Sequence, residues 1–144
     1  MVNEDTMDLL KECHSEIKTA AGTIEDVLPK IQNEQLRTLL TDSKRNHELL
    51  GGETGSLLCE YGGDFKETGS LSKGMSWVKK NIMLTVSESD SVISDLITDG
   101  CSEGIKSIKR NLNKYSLADE KVKGIAERLI YTEQSLSDGV GRYL

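Results

Sequence analysis

The sequence predicts an all-α protein: a four-helix bundle in which a connecting segment, read as a loop or a short helix, joins two helical hairpins. Apolar residues recur every three or four positions along almost the whole chain, the period of one helix face. No stretch reads as a strand and no internal repeat occurs. Short turns near residues 30–33 and 113–117 make successive helices antiparallel neighbours. The 144 residues suit a single domain, taken as 1–144, which buries about 70% of its unfolded surface.

The first helix carries Leu10, Cys13, Ile17, Ala20, Ile24, Val27 and Ile31 on one seam, with Lys11, Glu12, Ser15, Lys18 and Glu25 off it. Glu16 falls on the polar side by the same count. Pro29 lacks an N–H and ends or kinks this helix. Asn33 followed by Glu34 is a start signal for the second, whose seam is Leu36, Leu40, Ser43, His47, Leu50, Thr54, Leu57 and Tyr61. Gly62-Gly63 closes it.

Residues 63–70 read as a loop, and a helical pattern resumes with Leu71, Met75, Val78 and Ile82. Ser87 with Asp90 fits a capping box, so a new helix starts there, or a single helix runs over 71–114. The seam continues through Val92, Ile93, Leu96, Ile97, Gly100, Gly104, Ile108 and Leu112. Acids (Glu88, Asp90, Asp95) lie early in this stretch and bases (Lys106, Lys109, Arg110, Lys114) late, which complements the helix dipole. The basic end therefore reads as a solvated last turn rather than an anion patch. Ser116-Leu117-Ala118-Asp119 is a second capping box, opening a helix with Val122, Ile125, Leu129, Thr132, Leu136, Val140 and Tyr143 inward.

Helices of about 27 residues span roughly 40 Å, a distance that eight residues do not return across. A long crossover over 63–86 is favoured, because the four helices then match in length.

The stretch from Gly69 to Lys80, with Met75 and Trp77 inside it, resembles the crossover of ferritin-like domains found in bacteria. Val27-Leu28-Pro29-Lys30 and the segment with Asn111, Lys114 and Tyr115 are similar to an uncharacterised family of small four-helix proteins of Firmicutes. The resemblance covers nearly the whole chain and implies a ferritin-like bundle. It implies no activity.

Composition excludes several classes. A single proline rules out collagen-like and proline-rich chains. No apolar run exceeds three residues, against the ~20 of a membrane span. The charge of −6 disfavours nucleic acid as a partner. Acidic residues follow Met1 where a signal peptide is basic, and three widely spaced cysteines (Cys13, Cys59, Cys101) suit reduced thiols, so a cytoplasmic location is expected.

Ferritin-like di-iron sites take a Glu from each of two helices and Glu-x-x-His from the other two. His47 lies on the inward seam, but Lys44 precedes it by three, and Glu127 is followed by Ile130. Neither motif is intact. A reduced set for iron or another divalent metal would use Glu16, His47, Glu103 and Glu127. The favoured reading has no metal and no cofactor: His47 is a core histidine and the glutamates are surface residues. Cys13 and His14 are adjacent, hence about 100° apart on a helix, and do not form a nucleophile–base pair. Gly51-Gly52-Glu53-Thr54-Gly55 lacks the strand and the Lys-Ser/Thr of a phosphate loop. The pairs Gly51/Gly55 and Gly100/Gly104 instead predict a close crossing of the second and third helices, or a bulge in one of them.

These residues point to a non-catalytic bundle that works through protein contacts, as a homo-oligomer of two copies. Met75, Trp77 and Met83 form an apolar group that covers the bundle or meets a partner. A weaker reading, in which Ser43, Thr54 and Thr132 leave room for a small ligand, names no ligand.

Overall fold

The computed structural model describes residues 2–62 and 89–144. They form four long helices: α1 (Glu4–Val27), α2 (Glu34–Gly62), α3 (Asp90–Lys114) and α4 (Glu120–Val140). Single 3-10 turns follow α1 (Leu28–Lys30) and α4 (Gly141–Tyr143). No strand occurs among the described residues.

Each start has a physical cause. Asn3, Asn33, Ser89 and Asp119 accept hydrogen bonds from the backbone N–H three residues on, satisfying donors that a helix start leaves open. Two caps differ from expectation. Ser89, not Ser87, caps α3, so a helix running unbroken over 71–114 does not form; residues 71–84 lie outside the described residues. Asp119, not Ser116, caps α4, because its carboxylate takes the Val122 N–H while 115–118 turn. Pro29 sits inside the 3-10 turn that ends α1, where its missing N–H costs nothing.

The ends of the helices are tied across the fold. Asp90, the first residue of α3, accepts from the backbone N–H groups of Gln32 and Asn33 at the start of α2. At the opposite end, Asn3 donates to the Leu117 carbonyl, Asp5 accepts from Leu117 N–H, and Thr6 accepts from Asp119 N–H. So α2 and α3 start at the same end and run parallel, and α1 runs parallel to α4. The chain leaves α2 at one end of the molecule and enters α3 at the other. α1 packs on α2, α3 and α4, and α4 on all three partners, whereas α2 and α3 are not packed neighbours.

That arrangement corrects the expected close crossing of α2 with α3 through glycines. Gly51 faces Ile17 of α1, and Gly104 faces α1 and α4.

The predicted seams fill the interior. Every residue of the α1 seam is buried, and the α2 seam is buried from Leu36 to Leu57 with Tyr61 half-buried. The core has two sections. One joins Leu9, Leu10, Leu57, Leu58, Ile108, Val122, Ile125 and Leu129; the other joins Ile24, Val27, Leu36, Leu40, Ile93, Ile97 and Val140. Each fully buried leucine or isoleucine contributes about 1.5–3 kcal/mol relative to exposure. The polar group described next is also buried.

Candidate functional site: a buried carboxyl pair

Glu133 of α4 is wholly buried, and the carboxyl end of Glu16 of α1 lies against it although the rest of Glu16 is half-buried. Gly104 of α3 makes the room. A Cβ at 104 would stand 2.5 Å from Glu133 Oε1 and closer still to Glu16 Oε1. A side chain here would have to push both carboxyls aside, and no left-handed backbone conformation calls for glycine at this position.

Two buried carboxylates side by side would be unstable. Both are acceptors only, and Glu16 Oε1 and both Glu133 oxygens find no donor. No lysine or arginine is buried among the described residues to neutralise them. The resolution is a proton. Burial is the largest cause raising both groups and the charge of Glu16 adds to it at Glu133, which brings Glu16 to about 7 and Glu133 to about 11. The hydrogen bond between them lowers Glu16 and raises Glu133. These directions describe a protonated Glu133 that donates to an ionised Glu16, a pair that titrates as one unit.

Two thiols flank the pair. Burial first, and then the charges of Glu12, Glu16 and Glu133, push Cys13 up to about 12. Burial, then Glu133 and Glu16, push Cys101 up as well. Both are free, reduced and inert as nucleophiles. Cys59 is exposed.

The histidines have separate settings. His14 Nδ1 lies 2.7 Å from Thr54 Oγ1, which in turn donates to the Gly51 carbonyl. The histidine is therefore the donor in that bond. His47 Nδ1 donates to the Ser43 carbonyl at 2.8 Å, which leaves Nε2 as an unprotonated acceptor without a partner. Burial lowers its pKa and the backbone bond offsets this in part, so His47 is a neutral core histidine.

Of the residues proposed for a metal, Glu16 and His47 reach the interior, while Glu103 and Glu127 are exposed. The described residues contain no group of three or more histidines, cysteines or acids placed to hold a metal ion. A position off the seam predicts a surface site for Glu16, but the inward face of α1 is wider than that seam and also takes Leu9, His14 and Thr23.

Glu133 was missed altogether, although the signal was present. It continues the spacing Leu129, Glu133, Leu136, Val140 better than the half-buried Thr132 does. An acid on a core seam is the informative exception to the pattern.

No helix among the described residues is long and apolar enough to cross a membrane. Comparison with known proteins finds no matching family model, curated protein or solved structure.

Proposed function

We propose that this chain is a non-catalytic, ferritin-like helical bundle that acts through protein contacts, as a homodimer joined by its α2–α4 face. The observation that carries the reading is a pair of exposed apolar side chains beside a groove. Leu49 is 68% and Tyr131 is 74% exposed. Tyr131 lines a groove of about 280 Å³ with Leu39, Ser43, Asn46, Thr132 and Leu136. Leu49 follows Asn46 by three and so shares that side of α2.

A second copy is the occupant that fits, because the face carries both the projecting ring and the recess that an isologous contact needs. Its charges are also internally matched. Arg128 holds Glu53 through two hydrogen bonds of 2.9 Å, and Arg45 lies 3.5 Å from Asp42. Two such faces meet without the repulsion that a net charge of −6 per chain imposes elsewhere. The parallel order of α2 and α3 supports the ferritin-like part of the reading. The reduced cysteines support a cytoplasmic setting.

Light scattering on a sizing column tests this. A dimer that Tyr131→Glu with Leu49→Glu converts to a monomer of unchanged helicity is the expected result. A monomeric parent chain, or a dimer indifferent to both changes, would overturn it.

A further inference from the structure

We propose that the Glu16–Glu133 pair is a proton-held latch, and that losing its proton opens the middle of the bundle around Gly104. The geometry carries the proposal. Carboxyls from α1 and α4 meet on a space left by a glycine of α3, so three helices converge on one carboxyl pair. Buried oxygens on both groups have no other donor. Among the described residues, the titratable groups around the pair offer no substitute. α1 supplies Glu12, the Cys13 thiol and His14, which is engaged with Thr54; α3 supplies the Cys101 thiol; the buried titratable group of α2 is His47, committed to the Ser43 carbonyl; and α4 buries no titratable group besides Glu133. When the proton leaves, two like charges share a space in which Glu16 Oε1 and both Glu133 oxygens are buried without a partner. Separation of the helices, admitting water, is the relief.

The latch is distinct from the dimer face, which lies on the outer side of α2 and α4. It also has built-in reporters. Cys13 and Cys101 flank the pair and are buried, while Cys59 is exposed in the closed state. Opening releases the shared proton to solvent, so its equilibrium constant rises about tenfold per pH unit for each proton released.

The experiment measures labelling of each cysteine by an uncharged thiol reagent on the full chain between pH 7 and 8.5. Rates for Cys13 and Cys101 are divided by that of Cys59, which cancels the common dependence on thiolate. We expect the ratio to rise about thirtyfold in the parent chain, one proton's worth over this span. We expect it to stay level in Glu133→Gln, whose amide donates to Glu16 without titrating. Infrared spectra supply a second measurement: a protonated-carboxyl band at pH 8 in the parent chain, missing from Glu133→Gln. If that variant does not fold, Glu16→Gln and the slope of the parent chain still decide. A level ratio in the parent chain, or absence of the infrared band, would overturn the latch.

Discussion

Replacing Glu133 by glutamine changes one atom of the buried pair and removes its proton chemistry. The magnitude follows from linkage. The folded chain retains a proton that the unfolded chain releases above the ordinary glutamate value of 4.5. A raised folded pKa means stability that is complete at low pH and lost as pH rises toward that pKa. Each pH unit with one retained proton costs about 1.4 kcal/mol.

The choice of window matters. Below pH 6.5 His47 acts in the opposite sense, because its lowered pKa costs stability as pH falls. Above about 9 the raised thiols of Cys13 and Cys101 add a loss of their own. Between pH 7 and 8.5 the carboxyl pair dominates among these groups. The parent chain should lose roughly 2 kcal/mol over that span. For a chain of this size that is a fall in Tm of roughly 4–8 °C. Glu133→Gln should lose a few tenths of a kcal/mol at most and should be the more stable protein at pH 8.5. Thermal and urea unfolding followed by circular dichroism at four pH values reads both quantities. A parent chain whose stability is flat from pH 7 to 8.5, or a variant with the same slope, would refute the reasoning.

Other perturbations test the remaining contacts. Gly104→Ala gains about 1 kcal/mol of helix propensity, yet its Cβ forces the carboxyls apart, and the net result should be a loss of about 1–3 kcal/mol in urea unfolding. Joining it to Glu133→Ala restores room, so the double variant should lose less than the sum of the two. Gly104→Leu should unfold the chain at ambient temperature. Asp90→Ala removes the carboxylate that accepts from Gln32 and Asn33 N–H and should cost about 1 kcal/mol, with faster hydrogen exchange at the start of α2. Thr54→Val removes the hydroxyl between His14 and the Gly51 carbonyl and should cost about 1–3 kcal/mol in the same unfolding measurement.

Much of this architecture was legible from local pattern. Helix periodicity depends on residues three and four apart, so the seams of α1 and α2 could be counted directly, and Asn33 and Pro29 marked real boundaries. The caps at Ser89 and Asp119 were displaced by two or three residues. Several serines and acids in each stretch satisfy the same pattern, and only the backbone path selects among them. The glycine pairs illustrate a different failure. Their spacing announced a close approach correctly at Gly104, but what approaches is a pair of carboxyls and not α2.

The sequence alone determined that this chain is helical and where its apolar stripes lie; that the acid at 133 sits on one of them became plain only in the fold. Nor could the sequence determine what that acid meets. Glu16 and Glu133 are brought together by the parallel placement of α1 and α4, helices far apart along the chain, and Gly104 enters from a third helix. Burial is a property of neighbours that the chain acquires only on folding. Whether an inward carboxyl holds a charge, a metal or a proton was therefore decided by the tertiary structure.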